Sequence, residues 1–218
     1  AAYQKAIGIG CDFVEIDLRK TKDGKFVSIH NEDIDAYFKG KKGKVNSFLF
    51  SELREMPLAK KENDTNDYFI PTLEEILKLC KGKIGIYLDL KEADIKGQVQ
   101  TIKAFKMEKD IVWYIYPKER EAIQELKRYC PECLVMPDPG NERRLKKVLN
   151  RIKPKFVASD MGVLTPTFLT TAHSQEIKVF VDDAAANTNE WQKIIDWGVD
   201  GIQTNHPQEL IDFLNRKK

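Results

Sequence analysis

The runs IGIYLDL (84–90), IVWYIY (111–116), CLVMP (133–137), KFVAS (155–159), IKVFV (177–181) and VDGIQT (199–204) decide the fold. From the second onward they begin at 111, 133, 155, 177 and 199, a constant step of 22 residues. No motif repeats at that step, so it is the period of a structural unit. Between the runs lie stretches such as 117–130, 140–152 and 187–197, with apolar residues at helical spacing. Strands alternating with helices of this length build βαβ units around a parallel sheet.

Working back from residue 84, AAYQKAIGIG (1–10) reads as the tail of a helix ended by Gly8 or Gly10. DFVEIDL (12–18) is a strand, Lys22-Asp23-Gly24 a turn, and FVSIH (26–30) a second strand. Residues 31–70 are polar and irregular, with a short helix near 51–56. After Pro71, Thr72 caps the helix TLEEILKLC, and Glu75 three residues on completes a capping box. The βα strands are then 12–18, 84–90, 111–116, 133–137, 155–159, 177–181 and 199–204, seven in number. A parallel barrel closes with eight. The expectation is a TIM (β/α)8 barrel over 1–218 as one domain, with a small excursion at about 31–70 and its first strand upstream of Ala1. An open doubly wound sheet is the alternative, but no Gly-rich phosphate loop follows any strand. Gly8-Ile9-Gly10 lacks a third glycine and precedes its strand.

Composition bounds the function. With 36 Lys+Arg against 34 Asp+Glu in 218 residues, the net charge of +2 excludes a nucleic-acid protein working by bulk electrostatics. No apolar run approaches the roughly 20 residues of a membrane span. No signal peptide is visible, so the compartment stays open: cytoplasmic, or secreted or periplasmic if a leader was removed. Four cysteines are too few for a disulfide scaffold, and Cys130-Pro131-Glu132-Cys133 reads as a helix end, a turn and a strand start.

Barrel chemistry sits at the C-terminal ends of the strands. Glu15 and Asp17 are two apart and share one strand face, while Val14, Ile16 and Leu18 take the other. Facing inward, two carboxylates repel unless a cation lies between them; facing outward, they are an ordinary solvent-exposed pair. Asp89 and Lys91 repeat the two-residue spacing on the next strand, adding a third carboxylate and an ammonium. Lys91 also suits a surface lysine or a Schiff-base lysine. His30 ends FVSIH, and histidine is a residue type suited to proton transfer, though lone histidines are usually structural. His173, in a polar helical stretch, and His206, before Pro207, rank below it. Asp138, Asp160 and Asp182 fall at or just past strand ends, where they either line the mouth or cap the following helices, capping being the more common role.

The segment GCDFVEIDLRKTKDGKFVSIHN (10–31) closely resembles the signature of the glycerophosphodiester phosphodiesterase family. AAYQKAI, IPTLEEIL, IYLDLK and GVDGIQTNHPQEL match further segments, so the likeness spans nearly the whole chain. The resemblance implies a TIM barrel that hydrolyses glycerophosphodiesters to glycerol 3-phosphate and an alcohol with a divalent cation, usually Ca2+ or Mg2+. It assigns Glu15 and Asp17 to the metal and His30 to half of a general acid/base pair. It places Asp89 where the family usually has a Glu metal ligand, and Lys91 on the phosphate. Three departures follow. The family's opening His-Arg, with its other catalytic histidine, and its Glu-Asn metal motif are expected to precede Ala1. Asn31 stands where Asp is usual, and VFVDD (179–183) lacks the usual Trp. Tyr37, Phe38, Phe48 and Phe50 of the excursion either contact the leaving group or pack on the barrel. The competing readings are a phospholipase D-like lyase acting on lysophospholipids, a non-catalytic phosphodiester-binding barrel, and a Schiff-base aldolase using Lys91.

Overall fold

The computed structural model describes residues 1–59, 66–182 and 187–216. Residues 60–65 of the excursion and Asp183 of VFVDD lie outside the described residues. Helix α1 (Ala2–Ile9) ends at Gly10, whose φ of 84° closes the helix in the left-handed region that suits glycine. Strand β1 (Phe13–Lys20) turns through Gly24 into β2 (Phe26–Ser28), which runs antiparallel to it with Leu18 opposite Ser28. After the excursion, with α2 (Phe50–Arg54), the strict alternation begins. It runs α3 (Leu73–Cys80), β3 (Gly85–Asp89), α4 (Ile95–Phe105), β4 (Ile111–Tyr114), α5 (Arg120–Tyr129), β5 (Leu134–Met136) and α6 (Glu142–Ile152). It continues as β6 (Phe156–Asp160), α7 (Pro166–His173), β7 (Lys178–Asp182), α8 (Thr188–Asp196), β8 (Gly201–Gln203) and α9 (Pro207–Asn215).

All seven sequence-read βα strands are present, and every pairing among them is parallel. They form the staves of a TIM barrel in two sheets, β2-β1-β3-β4-β5 and β6-β7-β8. The break between sheets falls where Pro137 follows β5. Proline has no N–H to donate, so the ladder there reduces to Ala158 N–H donating to the Pro137 carbonyl at 3.1 Å. No described helix is long and apolar enough to cross a membrane.

The period-2 alternation sorts each strand. Val14, Ile16, Leu18, Ile86, Leu88, Ile111 and Trp113 are buried against the helices, where Leu73, Ile76, Leu77, Val99 and Ile102 meet them. Val157, Val179 and Val181 do the same on the other sheet with Phe168, Leu169 and Ile194. Inside the barrel sit the rings: Phe156 stacks on Phe180 at 5.6 Å, and Phe13 meets Phe180 edge-on at 6.0 Å. Thr72 caps α3 as expected, accepting from Glu75 N–H, while the Glu75 carboxylate accepts from Thr72 N–H.

The excursion packs around β2. Ile34, Phe38, Val45 and Leu53 bury with Val27, Ile29 and Ile70, and Tyr37, Phe48 and Phe50 lie against them. These aromatics therefore support the barrel wall. At the foot of the barrel Cys130 and Cys133 are joined in a disulfide with Cα atoms 5.3 Å apart. The reading of helix end, turn and strand start holds for the backbone there but missed the cross-link.

The interior rings need the space that two glycines leave. A Cβ on Gly201 would overlap the ring of Phe180, and one on Gly85 would come to 2.5 Å from Phe13. Gly8 has nothing within 4 Å of such an atom and lies in a helix. Gly201→Ala and Gly85→Ala should each destabilise the fold by about 1–3 kcal/mol, the usual range for overpacking. Gly8→Ala should stabilise it by roughly 0.5–1 kcal/mol. Urea denaturation of the three variants checks the ordering.

Candidate active site

Three carboxylates converge because two strands pair in one register. Asp17 of β1 is opposite Asp89 of β3, and Glu15 is opposite Tyr87. Since Val14, Ile16 and Leu18 face the helices, Glu15 and Asp17 face the barrel interior. Ligand oxygens from Glu15, Asp17 and Asp89 all lie within 4.8 Å of one another. Lys91, just past β3, donates from Nζ to Asp89 Oδ2 at 2.6 Å and lies 3.5 Å from Asp17 Oδ1. That longer contact is an ion pair without hydrogen-bond geometry, and Asp17 Oδ1 is left buried with no hydrogen-bond partner. Asp17 itself is only 7% exposed.

The electrostatics record the crowding. Burial, then the carboxylates of Asp17 and Asp89, push the Glu15 carboxyl well above the ordinary range, with Lys91 opposing. Burial raises Asp89 too, against the pull of Lys91. For Lys91, burial disfavours the charge but the bonds to Asp89 and Asp17 outweigh it, so the ammonium is held charged. One lysine against three carboxylates leaves a net negative pocket whose donors are all oxygen. That donor set and the unpartnered Asp17 oxygen fit a hard divalent cation of the calcium or magnesium type, and no Cys or His stands among them to suit zinc.

His30 reaches the same place by the β1–β2 hairpin. Ile29 N–H donates to the Asp17 carbonyl at 2.9 Å, so the chain passes the metal-type cluster one residue before the histidine. The Arg19 guanidinium holds the His30 carbonyl through Nη2 at 2.9 Å and Nε at 3.3 Å. The ring nitrogen Nδ1 lies 2.8 Å from Asn31 Oδ1.

These groups share a cavity of about 270 Å3 at the C-terminal ends of the strands, where His30, Asp89 and Lys91 meet Tyr114, Asp138 and Asp160. Asp182 and Gln203 also face it. A larger hollow of about 520 Å3 lies at the opposite end, near Cys11, Lys83 and Lys109, with no histidine on its walls. The histidine, the lysine and most of the strand-end carboxylates gather at the smaller one.

One expectation needs correction. Asp138, Asp160 and Asp182 do not cap the following helices. Asn141, Thr165 and Asn187 take the N-cap positions of α6, α7 and α8, and the three aspartates face the mouth instead. The other histidines lie outside the cavity, His173 bonded to Asp200 at 2.9 Å and His206 beside Glu209 at 3.6 Å. Sequence reasoning also missed the tyrosines. Tyr87 stacks on Tyr114 at 5.7 Å, Tyr116 meets Tyr114 edge-on at 5.2 Å, and Tyr114 Oη donates to Asp138 Oδ2 at 3.1 Å. The signal was present: Tyr87 stands two residues before Asp89, and Tyr114 and Tyr116 repeat that spacing on β4.

Comparison with known proteins agrees with this geometry. The sequence profile of the glycerophosphoryl diester phosphodiesterase family matches residues 1–209. A glycerophosphodiester phosphodiesterase of Caldanaerobacter subterraneus is 25% identical over 99% of this chain and 91% of its own length. The Bacillus subtilis enzyme of the same name is 22% identical, covering 94% of this chain and 78% of its own. Among solved structures, the Agrobacterium tumefaciens glycerophosphodiester phosphodiesterase superposes with a TM-score of 0.85 at 21% identity, over 96% of this chain and 91% of that one. An Oleispira antarctica phosphodiesterase, solved with its product sn-glycerol-3-phosphate, gives 0.82 at 16% identity, over 98% and 89%. With a profile match over nearly its whole length and a barrel of the same form, the chain belongs to the glycerophosphoryl diester phosphodiesterase family of hydrolases.

Proposed function

We propose that the protein hydrolyses glycerophosphodiesters to glycerol 3-phosphate and an alcohol, with a calcium or magnesium ion held by Glu15, Asp17 and Asp89. The observation that carries this reading is the cluster of those three carboxylates, whose Asp89 lines one cavity together with Lys91 and His30, in a chain of this family. The Oleispira structure, with sn-glycerol-3-phosphate bound, supports the product named. When bound, the cation neutralises charge on the phosphoryl oxygens as the transition state develops.

The chain's own groups do the rest. Lys91 stands on a short stem between Asp17 and Asp89, so its ammonium is placed for a phosphate oxygen once the carboxylates turn to a cation. His30 transfers a proton at the reacting oxygen. Tyr87, Tyr114 and Tyr116 wall the alcohol side with flat apolar faces, and Asp138, Asp160 and Asp182 surround it with carboxylates. That wall disfavours an anionic alcohol.

Assayed on glycerophosphocholine in the protein as encoded, activity should vanish on chelation and return with calcium or magnesium. His30→Ala should lower kcat by about 10²–10⁴, the range for a lost general acid or base. An undiminished rate under chelation or in His30→Ala would overturn this assignment, and release of a cyclic phosphate as end product would identify a lyase.

A second expectation concerns stability. Glu15 and Asp89 hold protons more tightly folded than unfolded, so the metal-free protein loses stability as pH rises from the ordinary carboxylate range through their raised values. A cation replaces those protons. At a hundredfold excess over Kd it contributes about 2.7 kcal/mol, or roughly 2–4 °C in Tm per kcal/mol at this chain length. The shift should be larger at about pH 8 than at about pH 5, where protons compete for the same oxygens. Asp17→Asn should abolish it. Differential scanning calorimetry with and without calcium measures both.

A further inference from the structure

Within this reading of the site, the backbone beside the His30 ring is held from two elements. Arg19 grips the His30 carbonyl with two N–H groups, and the N–H of that same peptide is held from the excursion, where Asn31 N–H donates to Tyr37 Oη at 3.2 Å. The one peptide that follows the ring is thereby pinned on both sides, at its carbonyl from β1 and at its N–H from the packed excursion. The pinned segment sets the Asn31 side chain against the ring, with Oδ1 at 2.8 Å from Nδ1. Among the described residues Nε2 has no hydrogen bond, and His30 lines the cavity that holds Asp89 and Lys91.

We infer that Asn31 is a positioning residue that keeps the proton of neutral His30 on Nδ1, leaving the Nε2 lone pair to face the substrate. An amide oxygen only accepts, so the ring must donate to it through Nδ1–H. A neutral imidazole carries one proton, and fixing it on Nδ1 makes Nε2 an acceptor. His30 is therefore the group that takes a proton first. Nε2 accepts it from an attacking water as that oxygen bonds to phosphorus and the phosphorus–alcohol bond breaks, which leaves glycerol 3-phosphate and the departing alkoxide. The departing oxygen takes a proton from solvent water, and the imidazolium returns its own to solvent, restoring the neutral ring. Asn31 bears no charge, so it orients the ring without the added hold on imidazolium that an aspartate would exert.

Side-chain nitrogen-15 NMR of the three histidines, with His30 identified by its absence in His30→Gln, tests the point while the ring is neutral. The expected spectrum places the His30 proton on Nδ1. Asn31→Ala should move it to Nε2, and Asn31→Asp, which keeps an acceptor, should leave it on Nδ1. In the hydrolysis assay Asn31→Ala should lose about 10- to 100-fold in kcat, the usual cost of removing an orienting partner, with KM changed less than threefold. Asn31→Asp should recover part of that loss. A wild-type proton on Nε2, or a tautomer unmoved in Asn31→Ala, would overturn the assignment. The spectrum needs no turnover, so an inactive wild-type protein would count against the phosphodiesterase reading alone.

Discussion

Asp17 lies opposite Asp89 across one parallel strand pair, and that register governs the site. In a parallel ladder, residues opposite each other direct their side chains to the same face. Once the valine, isoleucine and leucine of β1 are committed to the helices, Glu15 and Asp17 must point inward. A slip of one residue would bury both carboxylates under α3 and expose Val14, Ile16 and Leu18 to the barrel interior. The apolar core is therefore what holds three like charges together. Most of the energy that opposes their repulsion comes from groups that never touch the site. Lys91 relieves part of the repulsion at 2.6 Å from Asp89, and the remainder leaves a carboxylate cluster whose oxygens suit a hard cation.

The same strand places the histidine. Because β2 returns antiparallel along the end of β1, with Leu18 opposite Ser28, residues two beyond that pair arrive at the mouth. Ile29 ties to Asp17 through the backbone, so the acidic cluster and His30 cannot move independently. The excursion then acts as a buttress. Its buried Ile34, Phe38, Val45 and Leu53 clamp Val27 and Ile29, and its Tyr37 holds the peptide after His30. An exposed catalytic-type side chain at the end of a three-residue strand would otherwise have little to fix it.

How much of this was legible depended on the range of the interaction. Strand and helix positions follow from local periodicity, and all seven βα strands fall within a few residues of the runs read from the sequence. Glu15, Asp17 and Asp89 were legible through the two-residue alternation. The roles of Asp138, Asp160 and Asp182 were not. Each is followed three to five residues later by Asn141, Thr165 or Asn187, which cap equally well. Only the tertiary position of the strand ends decides which residue caps and which faces the cavity. The same holds for Asn31: its spacing shows a departure from the family pattern, but its contact with Nδ1 depends on Arg19 and Tyr37, 12 residues upstream and 6 downstream. The Cys130–Cys133 bond needed the turn geometry, since the spacing alone is shared with metal sites.

The two sheets contribute unequal chemistry above a shared aromatic floor. On the second sheet Asp160 lies opposite Asp182, and Asp182 opposite Gln203, repeating at the same level the arrangement of Asp17 and Asp89. The backbone barely joins the sheets at Pro137, and side chains join them instead. Phe180 of β7 stacks on Phe156 of β6 and reaches Phe13 of β1, while Tyr87 and Tyr114 pair on the first sheet. Gly201 and Gly85 lack the atoms that would displace these rings. Phe13 stays 39% exposed and lines the lower hollow with Phe156, so the rings are a partial floor. Burial is the first cause of the raised Glu15 and Asp89, and in a medium of lower polarity each charge acts on the others more strongly than it would in solvent. The inward position that the strand register imposes on Glu15, Asp17 and Asp89 is therefore what couples their charges.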